Sequence, residues 1–257
     1  MSLQHVRLIH QAASDAADDR ARSGPRQFYD AAYLTANYFA HREWLYRPYI
    51  RSLIAATGLR KGSEVLDAGC GQGFFSRLFA EEGMVVYATD MSIVGVQTAT
   101  AHFSHKGIRF FVSDLTQAPT THQFDCVFVR SCSLYNRRDL SGCVVVTTSL
   151  LTMLKPGGLF IFAYNTNLSG ASNGWRHHPL DDVRQCLGAA SSAVDLYFIN
   201  KLDTLLLRRH AFNRVVTMIN KSISRRTSVG GEAVAVFRKQ AVDSHIEPSL
   251  SGNLCGV

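Results

Sequence analysis

From Lys61 onward the sequence alternates short runs rich in Val, Ile, Phe and Tyr with longer stretches of helical apolar spacing, and this constrains the fold more than any other feature. Strands separated by helices cannot pair as tight hairpins, so they join by crossovers into βαβ units and a parallel sheet. Strands are expected at Glu64–Ala68, Val85–Thr89, Ile108–Val112, Phe124–Val129, Leu159–Tyr164, Ala193–Phe198 and Glu232–Phe237. Between them, Phe74, Phe75, Leu78 and Phe79 mark one helix face, and Leu140, Val144, Leu151 and Leu154 mark another that stops at Pro156-Gly157-Gly158. Leu202 to Arg226 carries apolar residues at 205, 206, 212, 215, 216, 219 and 223, the pattern of a helical insertion before the last strand. Its other face is basic (Arg208, Arg209, Arg214, Lys221, Arg225, Arg226), either a solvated face or a contact for an anionic partner. The expected fold is α/β: a doubly wound, seven-stranded, mostly parallel sheet with an N-terminal helical lid.

Composition supports a globular chain. With 257 residues, 46% hydrophobic and 18% charged, folding would bury roughly 70 to 75% of the unfolded surface without staples. The six Cys are scattered with no C-x-x-C pair, which argues against zinc ribbons and redox dithiols, and no metal site is expected. This cysteine usage, with no apolar leader in MSLQHVRLIHQAASDAADDR and no apolar run approaching the ~18 residues of a membrane span, leads us to expect a cytoplasmic protein. The formal charge of +7 favours an anionic partner without choosing its kind. Four regions are expected: 1–58 as an arm and aromatic lid, 59–165 as the ligand-binding core, 166–240 as the substrate side with the insertion and last strands, and 241–257 as a tail. In the first, Phe28, Tyr29, Tyr33, Tyr38, Phe39, Trp44, Tyr46 and Tyr49 either pack on the core or close over a pocket.

The strongest local signal is Glu64-Val65-Leu66-Asp67-Ala68-Gly69-Cys70-Gly71-Gln72-Gly73, a strand entering a glycine-rich turn that opens a helix. Such a turn lets a ligand approach bare backbone and offers it the unpaired N–H groups of a helix start. The G-x-G-x-G spacing differs from the G-x-G-x-x-G of dinucleotide sites, which weakens a nicotinamide oxidoreductase as the alternative. Asp90 ends the second strand, where a carboxylate can accept both hydroxyl hydrogens of an adenosine ribose. Asp114 follows the third strand, placed to accept from an adenine amine beside Leu115. A helix N-cap is the plainer explanation for either acid alone.

Together these residues resemble class I S-adenosylmethionine-dependent methyltransferases. Val65 to Gly73 is similar to that family's first motif, Asp90 to its ribose-binding acid, Ser113-Asp114-Leu115 to its adenine turn, and Leu154-Lys155-Pro156-Gly157-Gly158-Leu159 to its turn into the fifth strand. The resemblance implies S-adenosylmethionine as cofactor, held by Asp67, Gly69, Cys70, Gly71, Gly73, Asp90, Met91, Asp114, Leu115 and Arg130, with Asp67 ordering the loop and helping to hold the cofactor's amino group.

The fourth strand ends in Arg130-Ser131-Cys132-Ser133-Leu134-Tyr135-Asn136, without the D/N-P-P-Y/F tetrapeptide of nucleic-acid amino-methyltransferases and without a paired-Glu loop. A nucleic-acid substrate is therefore not expected; a small molecule is, and the basic charge would suit an anionic one. Tyr29, Tyr33, Asn136, Asn165 and Trp175 are the candidate acceptor contacts, His177 the candidate base and Tyr135 its catalytic companion. A non-catalytic adenosyl-ligand-binding partner protein is the remaining alternative. Acceptor identity, the atom methylated and oligomeric state are not written in the sequence.

Overall fold

The computed structural model describes residues 25–40, 43–117, 120–136, 140–166, 168, 178–188, 194–200, 210–227 and 229–239. Its strands are β1 (Glu64–Ala68), β2 (Val85–Asp90), β3 (Arg109–Val112), β4 (Phe124–Arg130), β5 (Leu154–Thr166), β6 (Asp195–Asn200) and β7 (Gly231–Arg238). They form one sheet in the order β3-β2-β1-β4-β5-β7-β6. β7 runs antiparallel to β5 and β6, and the other neighbours are parallel. The helices among the described residues are α1 (Pro25–Thr35), α2 (Glu43–Thr57), α3 (Phe74–Glu81), α4 (Ile93–Phe103), α5 (Val144–Thr152), α6 (Leu180–Gly188) and α7 (Arg214–Thr227).

Both faces of the sheet are covered, so its strands read as near-continuous apolar runs. On one face, Tyr49, Ile50 and Leu53 of α2 and Leu78 and Phe79 of α3 share a core with Val65, Val86, Phe128 and Ile161. On the other, Val146 and Leu150 of α5 and Val183 and Leu187 of α6 pack with Leu66, Val127, Phe160 and Phe162. No helix among the described residues is long and apolar enough to cross a membrane.

Three details differ from the expectation. The Pro156-Gly157-Gly158 turn lies inside β5, where the register with β4 jumps from Phe124 opposite Leu154 to Cys126 opposite Leu159. A 3₁₀ turn at Leu140–Cys143 precedes α5, and its tighter winding rotates the buried face to Val146, Thr147 and Leu150, leaving Val144 exposed. The buried face of α7 is turned from the expected one by one residue, roughly a quarter of a turn. Val216, Thr217, Asn220 and Ser224 are buried, while Val215, Met218 and Ile219 are 64%, 71% and 45% exposed.

The cause lies in β6. An edge strand presents backbone N–H and C=O groups without a strand partner, and they need other ones. Thr217 Oγ1 accepts from Phe198 N at 3.3 Å, and Asn220 Nδ2 donates to Phe198 O at 3.2 Å. Asn200 Nδ2 donates to Ser224 Oγ at 2.6 Å. The polar face turns inward because the strand demands it. Arg208 and Arg209 of the expected basic face lie outside the described residues.

Candidate cofactor and acceptor site

The chain leaves β1 toward β2 and β3, and leaves β4 toward β5, so the order reverses between β1 and β4. In an open α/β sheet such a reversal opens a crevice beyond the carboxyl ends of the strands. The glycine turn lies there. Gly69, Gly71 and Gly73 have φ of +85°, +54° and +79°, left-handed values that a residue with a Cβ adopts at a cost of roughly 1–2 kcal/mol. The turn is tied to β2, since the amides of Gly69 and Cys70 both donate to Thr89 O, at 2.8 and 2.9 Å.

Two buried carboxylates flank this turn. Asp90, 8% exposed, accepts from Gly71 N at 2.8 Å through Oδ2 and from Ser92 N at 2.9 Å through Oδ1. A carboxylate accepts at about four positions, so Asp90 keeps acceptor capacity toward the crevice. Asp67, 3% exposed, accepts from Ser76 Oγ of α3 at 2.6 Å. Burial pushes the Asp67 carboxyl up to about 7, with Ser76 opposing and the Asp90 charge adding to the rise. Burial also raises Asp90 above the usual carboxylate range, against the amides of Ser92 and Gly71. The Cys70 thiol is held well above its ordinary value by burial and by both acids, so it stays neutral. An enclosure that makes carboxylates reluctant to ionise suits a cation. After β3, Asp114 Oδ1 accepts from Thr116 N at 2.9 Å, and Ser113 N donates to Asp90 O at 3.0 Å, which brings the third strand end to the second. Leu115 is buried and Met91 half-buried beside them.

The aromatic N-terminal helix closes over this turn through polar contacts that the aromatic pattern alone did not reveal. Gln72, 2% exposed, donates from Nε2 to the carbonyls of Tyr33 and Ala36 at 3.1 and 3.0 Å and accepts from Tyr38 N at 2.7 Å. Asp30 accepts from Ser92 Oγ at 2.6 Å and Val94 N at 3.1 Å at the start of α4, and Arg26 Nε donates to Met91 O at 3.1 Å. Tyr33 thus rests on two glycines, and a Cβ at Gly71 or at Gly95 would lie 2.9 Å from its side chain. Tyr29 stands beside it, ring centroids 6.0 Å apart. Gly95 is a glycine inside a helix, a signal of close approach that the sequence did contain. Gly95→Ala should therefore unseat Tyr33 without unfolding α4, because alanine favours the helix interior by about 1 kcal/mol. The expected result is faster proteolysis within residues 25–40 at an unchanged thermal midpoint; unchanged proteolysis would show that α1 does not depend on this contact.

At the end of β4, Arg130 is fastened rather than free to reach a ligand. Its Nε lies 2.8 Å from Glu232 Oε1, and its guanidinium stacks 4.4 Å from the Phe75 ring centroid and 5.3 Å from that of Tyr46. Arg130 acts on the site through its field, which lowers Asp67. Ser131 follows with φ of +49°, a strained conformation for serine at a strand end facing the crevice.

Tyr135 is corrected: it is fully buried, its hydroxyl lies 2.9 Å from Thr147 Oγ1, and its ring packs on Phe162, so it cannot serve an acceptor. Cys132, buried, lies against Gly69, and burial pushes its thiol up to about 12. Asn136 and Asn165 are half-buried; Asn165 pairs in register with Glu232. His177 and Trp175 lie outside the described residues. Their neighbour His178 is buried, with Nε2 2.8 Å from Tyr135 O.

Residues 65–158 match the family model of a methyltransferase domain. A malonyl-[acyl-carrier protein] O-methyltransferase from Pectobacterium atrosepticum is 30% identical over 129 residues, covering 48% of this chain and 48% of that protein. The chain spans about half the length, or less, of the curated relatives it matches. Among solved structures, the Haemonchus contortus phosphoethanolamine N-methyltransferase 2, in complex with phosphomonomethylethanolamine and S-adenosylhomocysteine, superposes with a TM-score of 0.57 at 15% identity over 77% of this chain and 56% of that one. The [4+2]-cyclase SpnF does so with 0.54 at 18% identity over 76% and 81%.

Over residues 65–158 the chain is similar to a methyltransferase domain, and its sheet order, glycine turn and acids agree with that likeness. More particularly, its likenesses are mostly to methyltransferases of small-molecule type.

Proposed function

We propose that this chain transfers the methyl group of S-adenosylmethionine to an oxygen or nitrogen of a small acceptor carrying negative charge. The observation that carries this reading is the pair of buried carboxylates, Asp67 and Asp90, at the switch point of the sheet. The bound cofactor would supply an electrophilic methyl on a sulfonium. Asp90 would hold the ribose diol with its remaining lone pairs, Asp114 Oδ2 the adenine amine, and Asp67 the cationic methionyl end. Met91 and Leu115 would pack on the nucleoside. Tyr33, with Tyr29 behind it, would exclude water above Gly71, which leaves methyl transfer to positioning and desolvation.

Asn136, Asn165 and Trp175 stand as the acceptor contacts and His177 as the base, on the chemistry of their side chains. The anionic acceptor rests on the +7 charge and on the carrier-bound malonyl group named for the relatives. Incubation with methyl-labelled cofactor and a cell extract, followed by mass spectrometry of the low-molecular-weight and carrier-bound thioester fractions, tests the reading. Label in a compound of either fraction whose unmethylated form is acidic is the expected result. Label confined to nucleic acid or to protein side chains, or no transfer at all, would overturn it.

A further inference from the structure

Helix α7 is turned inside out relative to an ordinary surface helix. Its buried side is polar, engaged with the edge of β6 through Thr217, Asn220 and Ser224, while Val215, Met218 and Ile219 face outward. Arg214, Ser222, Arg225 and Arg226 are exposed with them. Residues 214, 215, 218, 219, 222, 225 and 226 fall on one face at 3.6 residues per turn, so the apolar stripe is bordered by guanidinium groups. The charge continues sideways: the Lys221 ammonium is held below its usual value by burial and by the neighbouring Arg184 and Arg225, which shows these cations crowded together. The nearby acids are already engaged, Asp181 with Arg184 at 3.6 Å and Asp195 with Arg214 at 3.2 Å.

We propose that this face of α7 docks on an anionic lipid surface, with Val215, Met218 and Ile219 entering the headgroup boundary and Arg225 and Arg226 meeting phosphates. A second copy of the chain would set arginine against arginine. A stable protein partner commonly covers about 800 Å² per side, more than three exposed apolar side chains provide, whereas an interfacial helix needs only an apolar edge and a cationic border. Among the described residues β6 is the outer strand of the sheet and α7 packs along it. β6 runs parallel to β5, and Ser224 bonds Asn200 at its carboxyl end. The last turn of α7, with its arginines, therefore stands at the same end of the sheet as the crevice.

Co-sedimentation of the full chain with phosphatidylcholine vesicles, with and without phosphatidylglycerol, tests this. Binding is expected only with the anionic lipid, falling about tenfold between low and high salt. Met218→Ser/Ile219→Ser and Arg225→Ala/Arg226→Ala should each weaken it about tenfold at unchanged thermal midpoint, because all four side chains are exposed; Val215→Ser provides a milder third variant. No sedimentation, equal sedimentation with neutral vesicles, or binding indifferent to the serine variants would overturn the proposal, as would a soluble acidic protein that α7 binds while vesicles are ignored.

Discussion

Asp90→Ala should cost at least about a hundredfold in affinity for S-adenosylhomocysteine, measured by calorimetry against the parent chain. Hydrogen bonds to a charged group contribute roughly 1.5–3 kcal/mol each, and Asp90 is placed to accept two from a ribose diol. Allowing for water returning to the crevice, about 3 kcal/mol remains, which is that hundredfold. The loss has a second source, because the amides of Gly71 and Ser92 surrender their acceptor together and the glycine turn loosens from the start of α4. Asp90→Asn keeps one acceptor oxygen and should fall between the two. Equal binding by all three proteins would remove the nucleoside from this crevice.

The second large effect is in protons. Burial pushes the Asp67 carboxyl up to about 7, so near neutral pH a substantial share of the empty protein carries it protonated. A cationic methionyl group beside it favours the carboxylate, and ligand binding should therefore expel a proton. Calorimetry in buffers of different ionisation enthalpy should show release of a substantial fraction of one proton at pH 6.5, fading above pH 8. Asp67→Asn should abolish it. Without ligand the sign is reversed from an ordinary ion pair: the folded value lies above the unfolded one of 3.8, so the folded state binds the extra proton. Asp67's contribution to stability is then complete below about 4 and lost as pH rises through 7. Glu43, Glu64 and Asp125 oppose this in acid, since Arg47 beside Glu43, Lys155 beside Glu64 and the Glu64 amide with Lys155 beside Asp125 hold them below their usual range. Proton exchange unchanged in Asp67→Asn would place the cationic end of the ligand elsewhere.

Strand positions were readable because strands covered on both faces are apolar without interruption, and helix α3 because its apolar face is local. The glycine turn and Asp90 were readable for a similar reason, since the turn is contiguous and the acid ends the next strand. What escaped depended on distant partners. Gln72 reads as a spacer between glycines, and its role appears only when the backbone of residues 33–38 arrives beside it. Asp30 sits in an aromatic segment, and its partners are Ser92 and Val94 at the start of α4, a helix it does not belong to. The outward apolar stripe of α7 could not be seen from periodicity, because burial usually follows hydrophobicity and here follows the unmet hydrogen bonds of an edge strand. Tyr135 was misplaced because it ends a 3₁₀ turn, Ser133–Tyr135, which the sequence does not announce, and its ring is buried.

The ion pair between Arg130 and Glu232 reaches from β4 across β5 to β7. During synthesis the ribosome delivers Arg130 long before its carboxylate partner, so a nascent chain that had assembled only its first five strands would have to bury a guanidinium uncompensated. Removing a charge from water without its partner costs several kcal/mol. The half that carries the glycine turn is thereby discouraged from maturing ahead of the C-terminal strands, and fragments ending before Glu232 should collapse into soft, protease-sensitive species.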